Sequence, residues 1–596
     1  MNNIESFKIF RELKCNSKLS QREISKKCSI SLGKTNMLIK ELINKEFLIK
    51  NETNYLLTQT AIDLLDNYRV DNAIILAAGF GSRFVPLTYE MPKGLLEVYG
   101  ERMIERQIKQ LIEADITDIT IVVGYLKEKF EYLIDKYGVK LVYSPDFMTK
   151  NNLSSLYHVR DLLKNTYILC SDNYLIENIF NSYEYRSWYC STKVDGDTAE
   201  WCFETDKKNM IKKVEIGGYN AWQMYGPAYF TESFSNTIVP LIEKTYNQKG
   251  SNNYYWEHVL MRNLSKLEMY ANKQPSDTIY EFENLEELRE FDETYKEKSN
   301  NIILNKITNI FNINEDEIHS IKPLKLGMTN KSFLFEVKNK KYICRIPGEG
   351  SEQLVDRVAE YNSFQAIIPL NITEDIVYIN PEDGIKISIY EENIRSVDTD
   401  NSDELKKCMS ILKYVHNSEL NVEHTFSFKK NIDFYENLCK PLNAILYENY
   451  SQVRINMNEL MSILNKIHVP TTLCHIDANS DNFLVLTDGN MKLIDWEYAA
   501  MHDPLVDVSM FAIYSYFDEN QIEKLMNYYL ERNPTYEERL RVYIYIALGG
   551  FLWALWAEYK QALGVAFGEY TLKMYRYAIA YYKKVTDLID ESKINY

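Results

Sequence analysis

Ile74-Ile75-Leu76-Ala77-Ala78-Gly79-Phe80-Gly81-Ser82-Arg83 is an apolar run that breaks into a glycine-rich loop, and Met91-Pro92-Lys93-Gly94-Leu95-Leu96 follows about ten residues later. The stretch from Ala73 to Ala78 is short, apolar and bounded by glycine, which suits a buried parallel strand. Gly79 and Gly81 let the backbone turn sharply and bare its N–H groups, which makes Leu76, Ala77, Ala78, Gly79 and Gly81 the nucleotide-binding candidates. Arg83 and Lys93 add positive charge for a polyphosphate, the first as a fork and the second as a point charge. Glycine-rich turns follow many strands for structural reasons alone. The combination L-A-A-G-x-G-x-R…P-K-x-L is far narrower.

Outward from this loop, strand and helix patterns alternate. Met103–Ala114 is amphipathic, 118–124 (Asp-Ile-Thr-Ile-Val-Val-Gly) reads as a buried strand, Phe130–Tyr137 as a helix, and Lys140–Tyr143 as a strand. This pattern predicts a doubly wound α/β sheet with ligands at the carboxyl ends of its strands. The next strand, Tyr167-Ile168-Leu169-Cys170-Ser171-Asp172, ends in an acid. Two roles are open to Asp172: a cap for the next helix, or an oxygen ligand for Mg²⁺ on nucleotide phosphates.

The loop motif resembles the nucleotidyltransferases that join an NTP to a phosphorylated small molecule and release pyrophosphate. Further residues narrow the resemblance to bacterial choline-phosphate cytidylyltransferases. These are Asn151-Asn152-Leu153-Ser154-Ser155-Leu156, Glu200-Trp201, Tyr254-Tyr255-Trp256-Glu257 and Ile279-Tyr280-Glu281-Phe282, so the likeness spans about 71–295. It implies that Asp172 and Glu257 hold Mg²⁺ and that Arg83 and Lys93 act on CTP. Asp is more usual than Glu at the second metal position. Trp201, Trp256 and Tyr255 would face the trimethylammonium, where each good cation–π face contributes about 0.5–2 kcal/mol.

In the C-terminal half, Cys474-His475-Ile476-Asp477-Ala478-Asn479-Ser480-Asp481-Asn482 precedes Leu493-Ile494-Asp495-Trp496-Glu497-Tyr498 across a Thr487-Asp488-Gly489-Asn490 turn. H-x-D-x-x-x-x-N followed by I-D is the kinase catalytic-loop arrangement. Asp477 fits the carboxylate beside the acceptor hydroxyl, Asn482 and Asp495 the ligands of Mg²⁺ on ATP, and His475 a structural hydrogen bond. Upstream, Leu326-Gly327-Met328-Thr329-Asn330 opens a hairpin through Phe333–Val337 and Lys341–Arg345. Arg345 stands where a protein kinase carries its strand lysine, with Glu360 as helix partner. Asp495-Trp496-Glu497-Tyr498 and Phe551-Leu552-Trp553-Ala554-Leu555-Trp556 resemble choline and ethanolamine kinases. Trp553 and Trp556 share one helix face. They read either as a choline cage with Glu497, Tyr498 and Asp507, or as core.

The first segment, 1–70, holds 12 Lys and Arg against 8 Asp and Glu, a charge of +4, leaving −21 of the total −17 to the remainder. Ser20-Gln21-Arg22-Glu23 has capping-box spacing. Two short helices and a pair of alternating strands follow, and the whole resembles winged-helix DNA-binding domains. Lys34, Thr35, Asn36 and Lys40 are its recognition-helix candidates. A module that only docks is the other reading.

At 596 residues the chain calls for several domains: a mostly α winged helix at 1–70, a doubly wound α/β nucleotidyltransferase at 71–295, and an α+β kinase-like fold at 296–596 behind a polar linker at 296–301. Nine scattered Cys, no run approaching twenty apolar residues and no signal pattern lead us to expect a cytoplasmic enzyme without membrane insertion. The resemblances imply a bifunctional enzyme with ATP and CTP as substrates and Mg²⁺ as cofactor. It would make phosphocholine and then CDP-choline for decoration of the cell surface. Ethanolamine, another small alcohol, and a choline- or nucleotide-responsive DNA-binding regulator are the competing expectations.

Overall fold

A computed structural model describes residues 3–51, 54–297, 299–324, 330–348, 355–469, 471–563 and 567–594. It divides into two compact units, Met1–Glu317 and Ile318–Tyr596.

The first unit opens with α1 (Ile4–Cys15), α2 (Gln21–Cys28) and α3 (Leu32–Asn44), then the hairpin β1 (Leu48–Asn51)–β2 (Asn54–Leu57) and α4 (Gln59–Asp66). The Ser20/Glu23 capping box forms as its spacing predicts. Ile9, Phe10, Ile24, Leu38, Ile39 and Leu65 close the core of this winged helix. Thr35, a recognition candidate, is buried, and its hydroxyl donates to Ser31 O at 3.0 Å. Lys34 is ion-paired with Glu5. Asn36 and Lys40 are left exposed on α3.

Beyond it lie β3 (Asn72–Ala77), α5 (Met103–Glu113), β4 (Ile119–Val123), β5 (Lys140–Tyr143), α6 (Asn152–His158), β6 (Thr166–Cys170) and β7 (Asn173–Leu175). Then come β8 (Trp188–Lys193), β9 (Asp197–Thr205), β10 (Ile211–Tyr219), β11 (Trp222–Phe230), α7 (Trp256–Arg262), β12 (Tyr270–Lys273) and β13 (Ile279–Glu281). The main sheet runs β10-β9-β11-β6-β3-β4-β5, with β8 joined to β11 and β12. β6, β3, β4 and β5 are parallel, and β3 is buried at all six positions, as its unbroken apolar pattern requires. Residues 296–317, read from sequence as the start of the third domain, fall within the first unit, including α8 (Ile302–Phe311). Asn301 caps that helix and reaches Glu90 at 2.9 Å.

The second unit begins with an antiparallel sheet ordered β14 (His319–Pro323), β15 (Asn330–Val337), β16 (Lys340–Pro347), β18 (Lys386–Ile389), β17 (Ile376–Ile379), with α9 (Arg357–Ile367) between β16 and β17. The predicted loop 326–329 lies outside the described residues. Helical and short-strand elements follow: α10 (Ser402–His416), β19 (Thr472–Cys474), β20 (Phe483–Val485), β21 (Met491–Leu493), α11 (Leu505–Tyr514), α12 (Glu519–Leu530), α13 (Tyr536–Ala562) and α14 (Tyr570–Ile594). Contrary to the sequence reading, α13 is long and apolar enough to cross a membrane. Nearly all of its apolar stretch is buried, because it is the central helix of this core, packed on α11 and α14.

Candidate active sites

The first site sits at the carboxyl ends of β3 and β6. Parallel register pairs Leu76 with Cys170, and Ser171 N–H donates to Leu76 O at 3.0 Å, so the Ala78–Gly81 loop begins beside Ser171-Asp172. Gly81 has φ +66, and a Cβ there would lie 3.0 Å from Lys93 Cβ. Gly94 is tighter: a Cβ would meet the Ser171 side chain at 2.6 Å. The glycine after Lys93 therefore lets the Pro-Lys turn close on the strand end, and Lys93 Nζ donates to Asp172 Oδ2 at 2.8 Å.

β13 pairs with β7 so that Glu281 faces Asn173, whose side-chain amide donates to Glu281 Oε2 at 3.0 Å. The Asp172 charge reaches Glu281. Burial and the Asp172 charge push its carboxyl up to about 7. Burial would lower the Lys93 ammonium, but Asp172 and Glu281 more than offset this and hold it above its ordinary range. Glu257, expected as the second metal acid, is placed differently. It is buried in the first turn of α7, accepts from Tyr189 Oη at 2.9 Å, and is pushed up to about 7 by burial. Its Oε2 has no partner among the described residues. Arg83 is largely exposed and ion-paired with Glu283.

The aromatic expectations divide. Trp256 is 2 % exposed, stacked on Tyr189 (5.4 Å, 17°) and edge-on to Phe230 (5.1 Å), so it is core and offers no face to a ligand. Tyr255 caps α7 from outside and Trp256 is the first residue inside it, which turns one ring outward and the other inward. Trp201 meets His258 edge-on at 4.7 Å, and Tyr254 stacks on His258 at 4.9 Å. With half-exposed Tyr255 and exposed Glu200, whose charge reaches Glu281, they form a mixed aromatic and acidic wall.

The second site is built by two hairpins. In β15–β16, Arg345 is buried and pairs bidentately with Glu360 of α9, one arm at 2.9 Å. Burial opposes its charge, but Glu360 holds the guanidinium well above its usual range. In β20–β21, pairing of Phe483 with Leu493 and the Ile494 N–H···O Asn482 bond (2.9 Å) set Asn482 beside Asp495. Asn482 Nδ2 donates to Asp477 O at 2.9 Å and to its Oδ2 at 3.3 Å. Asp495 is held at φ +68, a strained conformation for a non-glycine residue of the kind that gathers at functional sites. Burial pushes Asp477 up to about 7; a Tyr514 hydrogen bond opposes this, and the Asp495 charge adds to it.

Tyr514 hydrogen-bonds Asp477, Tyr498 senses its charge, and Trp553 and Trp556, both buried in the core of this unit, stand behind the two tyrosines. Trp553 lies 5.8 Å from each tyrosine and 5.9 Å from Trp556, with Phe567 beyond at 5.1 Å. Glu497 points elsewhere: its Oε2 accepts from Asn330 at 2.8 Å and lies 3.6 Å from both Arg345 and Arg357. Asp507, a candidate wall residue, is fully buried beneath the loop. It accepts the His475 and Ile476 N–H groups, each at 2.7 Å, and His416 Nε2 at 3.0 Å. His475 is also buried, with Nε2 on Ile494 O at 2.9 Å.

Three family descriptions match in order: winged helix-turn-helix DNA-binding over residues 6–49, nucleotidyl transferase over 72–187, and choline/ethanolamine kinase over 321–547. A choline-phosphate cytidylyltransferase of Streptococcus pneumoniae is 35% identical over 38% of this chain and 99% of its own length. The chain belongs to the choline-phosphate cytidylyltransferase family, fused to a choline/ethanolamine kinase domain. A 2-aminoethylphosphonate cytidylyltransferase of Lancefieldella rimae is 34% identical over 38% of this chain and 95% of its own length. The solved structure of choline kinase LicA from Streptococcus pneumoniae is 30% identical, covering 48% of this chain and 98% of its own, at a TM-score of 0.43.

Glu281 stands in a stretch that carries the resemblance, but its place near Asp172 escaped sequence reading because the pairing of β13 with β7 delivers it. In the kinase, Tyr514 escaped it because a lone tyrosine in an apolar helix carries no signal among 46. Two oxygen-donor sets fit a hard divalent cation: Asp172 with Glu281, and Asn482 with Asp495. Burial first, and the neighbouring Asp172 or Asp495 charge second, raise Glu281, Asp477 and Glu497, and a cation would relieve the second of these.

Proposed function

We propose that the kinase domain phosphorylates choline with ATP and that the cytidylyltransferase domain couples the phosphocholine to CTP, giving CDP-choline and pyrophosphate. The observation that carries this reading is the aromatic cluster of Tyr498 and Tyr514, which reach Asp477, backed by Trp553 and Trp556. A quaternary ammonium has no N–H to donate and is bound by ring faces. Asp477, raised toward neutrality, is suited to take the proton from the choline hydroxyl as its oxygen attacks the γ-phosphorus. Arg345, fixed by Glu360, orients the polyphosphate.

In the second step a phosphocholine oxygen attacks the α-phosphorus of CTP in line and pyrophosphate leaves. The Ala78–Gly81 backbone cradles the triphosphate, and Lys93 and Arg83 neutralise charge as it builds. Mg²⁺, when bound by Asp172 and Glu281 or by Asn482 and Asp495, supplies charge neutralisation on the nucleotide phosphates. Trp201 and Tyr255, with Glu200, would receive the trimethylammonium. The enzyme would act in the cytoplasm, its product would serve phosphocholine decoration of the cell surface, and the winged helix would bind DNA through Asn36 and Lys40.

Coupled turnover of choline, ATP, CTP and Mg²⁺, followed by mass, tests this. Phosphocholine should appear first and CDP-choline after it. Turnover of ethanolamine with no turnover of choline would move the substrate. The aminoethylphosphonate relative supports a second reading for the central domain, so 2-aminoethylphosphonate with CTP belongs in the same assay. A gel shift on the DNA upstream of its own gene, with and without choline, tests the winged helix.

A further inference from the structure

The winged helix is not tethered to the cytidylyltransferase by a free linker. Only residues 67–71 separate α4 from β3, and they are hydrogen-bonded to the enzyme. Val70 N–H donates to Ser182 O at 3.0 Å, Glu184 N–H to Tyr68 O at 2.9 Å, and Asp71 N–H to Asn165 O at 2.9 Å. The Tyr183 hydroxyl donates to Asp66 Oδ1 at 3.1 Å.

The side chains go further. Tyr183, from the enzyme, is a buried member of the winged helix's own core. Phe7 of α1 lies 5.4 Å from both Tyr68 and Tyr185, and those two stack at 5.3 Å. Between Tyr183 and Tyr185 sits Glu184, buried, with Oε1 accepting from Tyr167 Oη and Asn181 Nδ2, each at 3.0 Å. The cation facing it, Arg11 Nη1 at 3.9 Å, comes from α1. Tyr167 lies on β6, the strand that leads to Asp172. Separating the two parts would strip apolar cover from these four rings and take the Arg11 charge away from Glu184.

We infer that the winged helix and the cytidylyltransferase open as one cooperative unit joined at Glu184, so that nucleotide bound at the Lys93–Asp172 site stabilises the winged helix against opening. Whatever α3 binds then holds the enzyme as a fixed body. This holds whether or not the partner is DNA.

Hydrogen exchange on the full chain tests it, with CTP and Mg²⁺ but no phosphocholine, so that nothing turns over. A ligand at 100 times its Kd slows exchange through shared opening by about 100-fold. Amides of α1–α3 and of β3 and β6 should slow by the same factor. Slowing confined to β3 and β6, with α1–α3 unchanged, would overturn the inference. In Glu184→Gln, α1–α3 should lose the response to CTP while β3 keeps it. If that variant keeps the full response, Glu184 is not the joint. The wild-type comparison decides the shared opening even if the variant folds poorly.

Discussion

Lys93 Nζ lies 2.8 Å from Asp172 Oδ2, two residues 79 positions apart that meet because Gly94 lets the Pro-Lys turn close on the end of β6. Lys93→Met should lower kcat for CDP-choline formation by about 10²–10³-fold, the scale of losing one preorganised charge at a reacting phosphorus. Choline phosphorylation by the same protein should be unchanged. Both are read by product mass from separate substrate mixtures.

Asp477→Asn should abolish choline phosphorylation while CDP-choline still forms from supplied phosphocholine. Loss of both activities in a folded variant would show that the sites do not act independently.

Glu281→Gln and Glu257→Gln separate two acids that sequence alone confuses. The first should raise the Mg²⁺ concentration needed for half-maximal cytidylyl transfer about tenfold or more. The second should leave the Mg²⁺ requirement within about twofold, because Glu257 is held by Tyr189 rather than set beside Asp172. A Mg²⁺ titration of each variant checks the pair.

Glu257 also sets a pH dependence. Its carboxyl is raised to about 7 from an ordinary 4.5, so the folded state holds the proton more tightly than the unfolded chain. That contribution is fully present below pH 4.5 and is lost as pH rises through about 7. The size is on the order of 3 kcal/mol. Glu257→Gln should therefore flatten the fall in stability of the first unit between pH 5 and 8 in denaturant titrations.

Two tryptophans from matching motifs should behave oppositely. Trp553→Ala should raise the choline KM about tenfold or more, with a smaller change in kcat. Trp256→Ala should cost about 3–5 kcal/mol of stability as a core truncation. Cytidylyl transfer measured well below its melting temperature should show an unchanged phosphocholine KM.

Much of this was legible in order along the chain. A strand followed by glycines, or H-x-D-x-x-x-x-N followed by a hairpin and I-D, places its groups through local backbone geometry. The sequence alone therefore singled out Lys93, Asp172, Asp477, Asn482 and Asp495 as candidates and assigned the classes of the three folds. Burial is not local, and there the reading failed. Trp256 and Thr35 matched functional patterns but point inward, and Asp507 supports a loop from below instead of lining a pocket. Apolar α13 has the composition of a membrane span and is the core of a kinase. Only tertiary pairing, β13 on β7, brought Glu281 to Asp172, and only packing put Tyr514 on Asp477 and Arg11 on Glu184. Local motifs fix the backbone of these sites. Which charges stand unshielded within them depends on strands and helices far apart in sequence.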